Sequence, residues 1–124
     1  MELKQYILEA SRTCPDLGYN LDNRSPNTIN NIHMVLGMQT EVAELSDVFK
    51  KHLAYNKPID WINVEEEVAD TMWYIVNFCR INNIDLEKIL QNNIDKLRKR
   101  FPDKFTEEAA INRNTDIERI ELEK

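Results

Sequence analysis

Residues 64–81 read VEEEVADTMWYIVNFCRI. Asn56, Lys57 and Pro58 break whatever precedes this run, Asp60 is placed to cap it, and the apolar content carries it as one helix through about Asn82. Most of that helix is expected to be buried. The one polar line along it starts at Asp70, inside VADTMWYIV, and continues through Tyr74 at about +40° and Asn77 at about −20°.

On the amino-terminal side, a longer helix runs from about Thr28 to Ala54. Its apolar positions Ile29, Ile32, Val35, Leu36, Val42, Leu45, Val48, Phe49 and Leu53 recur every three or four residues, so that one stripe faces a core. Before it, residues 17–26 are rich in Asn, Asp, Gly and Pro and read as a loop, with Ser25 or Asn27 as the cap of this long helix. Residues 2–13, with Leu3, Tyr6, Ile7 and Ala10 at helical spacing, make a first helix that Pro15 and Gly18 close.

On the carboxyl side, Asn82 and Asn83 form a short connection and Asp85 caps a fourth helix, with Lys88 three residues on. Leu86, Ile89, Leu90, Ile94, Leu97 and Phe101 form its stripe, and Pro102 ends it. Residues 103–124 are highly charged with sparse Ile and Leu, which suits an exposed helix, an arm packed across a dimer or a partly frayed tail. The expectation is one all-α, four-helix-bundle-like domain over residues 1–124, its core at about 28–102. Four substantial helices, one of them nearly all apolar, carry more apolar surface than a thin bundle covers, so a homodimer or a dimer of dimers is expected.

Bulk composition agrees. The chain has 124 residues, enough for one ordinary core, and its two glycines and four prolines leave little material for the turns of a many-stranded sheet. A net charge of −6 argues against a nucleic-acid polymer as partner, because binding a phosphate backbone needs a basic stripe. A single nucleotide is not excluded, since a local basic cluster or a carboxylate-bound cation receives it whatever the overall charge. Cys14 and Cys79 match no zinc or disulfide spacing, and Cys79 sits in an apolar run that suits a buried thiol. The amphipathic amino terminus lacks the apolar stretch of a signal peptide, and no run of about 18 apolar residues occurs, so a cytoplasmic, non-membrane protein is expected.

Two acidic pairs point to chemistry. Helical residues advance about 100° each, so Glu41 and Glu44 lie within about 60° of one another, as do Glu67 and Asp70 on the next helix. If the helices run antiparallel, the pairs converge on a small volume. On charge alone, solvated acidic faces are as good a reading; Asp70 among large apolar neighbours shifts the balance, because an isolated buried carboxylate costs several kcal/mol unless a cation or hydrogen bonds compensate it. Carboxylates without any Glu-x-x-His disfavour a di-iron site and suit magnesium, or manganese in its place. Lys51, two turns beyond Glu44 on nearly its azimuth, is a physical candidate for holding phosphate. Trp61 and Trp73 suit core or interface packing, with base stacking the alternative; a lone helical histidine such as His33 is more often structural.

The sequence E41-V-A-E44, a spacer, then E67-V-A-D70, followed by N93-I-D-K96-L-R-K-R100-F-P, resembles the motif order of the MazG-like all-alpha NTP pyrophosphohydrolases over residues from about His33 to Pro102. The resemblance implies that Glu41, Glu44, Glu67 and Asp70 bind magnesium, and that water converts a nucleoside triphosphate to the monophosphate and pyrophosphate. It assigns catalysis to Glu41 and Glu44 without choosing which activates the water. It further implies that Asn93, Lys96 and Arg100 hold phosphates and that Tyr74 lies at the nucleotide pocket. A further acid often found directly before the first motif glutamate is here Thr40, which leaves one or two metal ions open. Competing expectations are a phosphoribosyl-ATP pyrophosphohydrolase, a dUTPase-like member, and a non-catalytic helical interaction module whose acids are a solvated seam.

Overall fold

The computed structural model describes residues 2–15 and 26–124. Among them there are six helices: α1 (Leu3–Thr13), α2 (Pro26–Tyr55), α3 (Trp61–Ile81), α4 (Leu86–Arg100), α5 (Glu107–Ile111) and α6 (Thr115–Leu122). The all-α expectation holds. The loop expected from Leu17 and the cap at Ser25 lie outside the described residues, and α2 already includes Pro26 and Asn27.

Local chemistry sets the helix ends. Asp60 accepts from the Asn63 amide at 3.2 Å and opens α3; Asp85 accepts from the Lys88 amide at 3.0 Å and opens α4. Each cap satisfies one of the orphan amides of a first helical turn. Between α2 and α3, Asn56 adopts a left-handed backbone (φ 52°), and Asn83 does so between α3 and α4 (φ 53°), a conformation that asparagine tolerates better than most residues. The carboxyl-terminal segment is ordered as two short helices capped by Thr106 and Asn114.

α2 and α3 form an antiparallel hairpin. The amides of Asn31 and Asn82 exchange two hydrogen bonds of 2.7–2.8 Å at its open end, and Phe49 meets Trp61 edge to face at 6.4 Å near the turn. Met34 and Val48 on α2 and Cys79 on α3 are the buried apolar side chains among the described residues. α4 packs mainly with α6.

One expectation fails here. α3 is not mostly buried: Glu67 and Cys79 are its buried residues, while Val68, Met72, Trp73 and Val76 stay exposed. The reason is that α3 shares one face with α2, while α4, instead of closing a four-helix core over the other face, meets α6 through Asn92, Lys99 and Arg100 and leaves Ile89, Leu90 and Ile94 of its own stripe exposed. α1 likewise buries nothing, with Leu3, Tyr6, Ile7 and Leu8 exposed.

Candidate functional site

The antiparallel pairing brings the middle of α2 against the first half of α3. Glu41, Glu67 and Asp70 meet there, each offering a carboxylate oxygen within 4.8 Å of the other two. Glu67 is only 4% exposed, and the Asn63 side-chain amide one turn earlier donates to its Oε1 at 2.6 Å. Glu41 is half-buried. Its carboxyl is pushed above the usual glutamate range by partial burial first, then by the negative charges of Glu44, Asp70 and Glu67. Thr40, the residue standing in place of a further acid, donates its hydroxyl proton to the Gly37 carbonyl at 2.9 Å, with Glu41 Oε1 3.5 Å away.

The assignment of the buried acid is corrected. Asp70 is exposed, and Glu67 occupies the buried place. The two differ by about 60° around α3, and the Glu67 azimuth is the one that meets α2. Glu44 is exposed one turn further along α2; Glu41 feels its charge, but its carboxylate is not one of the convergent three.

The donor set fits a hard divalent cation. Oxygens around one magnesium at about 2.1 Å stand at most about 4.2 Å apart, so small side-chain rotations close the three acids on an ion. Without a cation the same closeness is repulsive, and that repulsion adds to partial burial in raising Glu41.

Tyr74 lies one turn beyond Asp70. Its ring rests on Gly37, where a Cβ would overlap it, and meets His33 at 6.1 Å and Trp73 at 5.0 Å, both edge to face. Gly37 is one turn before Glu41, so Tyr74 borders the acidic cluster. Lys51 pairs with Asp47, which also binds Lys50; these two lysines hold the Asp47 carboxyl down at about 2. Lys51 and Asn63 also line a groove of about 220 Å³ at the α2–α3 turn, with Val48, Lys57, Pro58 and Asp60.

On α4, Asn93 is exposed and Lys96 half-buried. Arg100 binds the buried Glu118 with both nitrogens of its fork, Nε donating to Oε1 at 2.6 Å, and Arg113 adds a bond of 2.8 Å. Arg100 and Arg113 together hold the Glu118 carboxyl at about 2. Among the described residues, Asn93, Lys96 and Arg100 make no hydrogen bond or ion pair with the acidic cluster.

Three contributors escaped sequence reasoning. Asn63 sits four residues before Glu67, a readable helical spacing. Gly37, a glycine inside a helix, was a signal for close approach. Glu118 gave none, since its pairing with Arg100 depends on how α6 folds back.

The family model of the MazG nucleotide pyrophosphohydrolase domain matches residues 30–105, a span that contains α3, α4, both acidic pairs and nearly all of α2. No curated protein and no solved structure matches the chain.

Proposed function

Because the chain belongs to the MazG nucleotide pyrophosphohydrolase family, we propose that it hydrolyses nucleoside or deoxynucleoside triphosphates to the monophosphate and pyrophosphate, in control or cleansing of the nucleotide pool. The observation that carries this reading is the convergence of Glu41, Glu67 and Asp70 at the family's motif positions. With Glu44 beside them, they form an oxygen-only set for magnesium, or for manganese in its place. When bound there, magnesium neutralises phosphate charge and makes water more acidic.

The chain's own residues do the rest. Glu67, fixed by Asn63, anchors the cluster from its buried side, and exposed Asp70 and Glu44 face incoming substrate and solvent. Glu41 and Glu44 are the groups that take the proton of the attacking water as the α–β phosphoanhydride opens. Glu41's raised pKa brings it nearer neutrality, where a general base works best. Lys96 carries no ion pair among the described residues, so it and Asn93 lead as phosphate ligands. Lys51 and Arg100 contribute by exchanging Asp47 and Glu118 for a phosphate oxygen. Tyr74 borders the nucleotide. A homodimer or dimer of dimers covers the exposed apolar faces of the helices.

The test is incubation with each dNTP and magnesium. Monophosphate plus pyrophosphate is expected; stepwise release of orthophosphate would sink the mechanism. Glu44→Ala and Asp70→Ala should each abolish turnover while leaving helicity intact, and wild-type rates in either would remove the site assignment.

A further inference from the structure

A second hollow continues the acidic cluster along the same seam. Between the amino-terminal half of α2 and the carboxyl-terminal half of α3 lies a groove of about 550 Å³, lined by Asn30, Met34, Trp73, Asn77 and Arg80 among others. That volume is ordinary for a small-molecule site. On α2, Met34 and Asn30 lie within about 20° of the Glu41 azimuth; on α3, Asn77 lies within about 20° of Asp70. The groove and the acids therefore share one face of each helix. From Asp70, Trp73 is about 4.5 Å, Asn77 about 10.5 Å and Arg80 about 15 Å along the axis, a progression on the scale of a nucleoside.

We propose that this groove seats the nucleobase, with Trp73 as the stacking platform and Arg80 reading a base edge that carries two adjacent acceptors. The proposal rests on the pyrophosphohydrolase reading in placing the phosphates at Glu41, Glu67 and Asp70. Met34, buried, forms the floor, and Trp73, 55% exposed, leaves its indole open. Trp73 is held edge-on by Tyr74 at 5.0 Å, so the platform is fixed from the catalytic side. Asn77 is spent on support: its Nδ2 donates to the Trp73 carbonyl at 3.0 Å, and its Oδ1 accepts from Arg80 Nε at 3.3 Å.

That last bond orients the Arg80 fork while its terminal nitrogens bind no partner among the described residues. Two parallel donors match two adjacent acceptors, as on O6 and N7 of a 6-oxopurine or O2 and N3 of cytosine. They do not match the adjacent donor and acceptor that adenine and thymine present.

Calorimetric titration of the full chain with dGMP, dCMP, dAMP and TMP tests this without requiring turnover. Either dGMP or dCMP should bind at least about ten-fold tighter than dAMP and TMP, and whichever does identifies the base class. Trp73→Ala should weaken that binding roughly ten-fold, as loss of a base–aromatic stack does, and Trp73→Phe should restore most of it. Arg80→Ala, at an exposed position, should bring all four monophosphates within about two-fold of each other. Wild-type-like binding by Trp73→Ala, or discrimination surviving in Arg80→Ala, overturns the proposal, as does equal binding of the four by the wild type. Selective binding of monophosphates by a protein that splits no triphosphate would instead remove the pyrophosphohydrolase reading and leave the base seat standing.

Discussion

Gly37 occupies mid-helix, where glycine costs roughly 0.5–1 kcal/mol relative to alanine. The cost is offset by the Tyr74 ring, which fills the space a Cβ would need. Gly37→Ala is therefore expected to destabilise by about 1–3 kcal/mol in urea unfolding, overpacking outweighing the gain in helix propensity; a stabilised variant would show that the ring moves aside freely. Glu41 supplies a second expectation. Its folded-state pKa is raised, so the metal-free fold carries no penalty from it below the ordinary value of 4.5 and loses stability as pH rises through the raised value and the carboxylate ionises beside Glu67 and Asp70. A bound cation reverses that loss. The gap in thermal midpoint between magnesium and EDTA should widen as pH rises through this window, and a gap independent of pH would separate Glu41 from the metal. The acidic pairs themselves were legible because helical spacing is local. Which acid is buried was not: Glu67 and Asp70 stand about 60° apart on one helix, and only the partner's position selects between them.

At the level of elements, caps and breaks were the most readable features, since Asp60 and Asp85 act on amides three residues away. The pairing of helices was less readable. An apolar stripe says that a face suits burial but not which neighbour covers it: α4, whose stripe suits a bundle, meets α6 through its polar face and leaves Ile89, Leu90 and Ile94 exposed. What fastens that pair is ionic: Glu118 and Glu121, both buried on α6, bind Arg100 and Arg113, and Lys124 and Lys99, respectively. Removing one side of such a cluster leaves buried charge uncompensated. Glu118, lowered from 4.5 to about 2, contributes stability that is fully present above its ordinary value and is lost as pH falls toward 2. Glu118→Gln should flatten the acid limb of the stability profile between those values, read by circular dichroism. An unchanged acid limb would mean that α6 is held by other contacts.

For the molecule as a whole, the decisive quantity is exposed surface. A compact monomer of 14.7 kDa exposes roughly 6,900 Å², whereas this chain exposes 10480 Å². The difference, roughly 3,500 Å² per chain, is several times the ~800 Å² that each partner contributes to a standard interface. Much of it is apolar and continuous in sequence along the helices: Ile32, Val35 and Leu36 line one hollow on α2, and Val68, Met72 and Val76 run along α3. Among the described residues only Met34, Val48 and Cys79 are buried apolar side chains, so the single chain has little core of its own. Folding and self-association are therefore expected to be one event. Sedimentation equilibrium should give a mass of at least two chains at micromolar concentration. Leu36→Asp separates the alternatives. On a free surface it changes stability by no more than about 0.5 kcal/mol, whereas in a subunit interface it should shift the mass toward one chain and lower the unfolding midpoint in a concentration-dependent way. A wild-type chain that sediments as a stable monomer would leave the exposed apolar faces without a partner of its own kind.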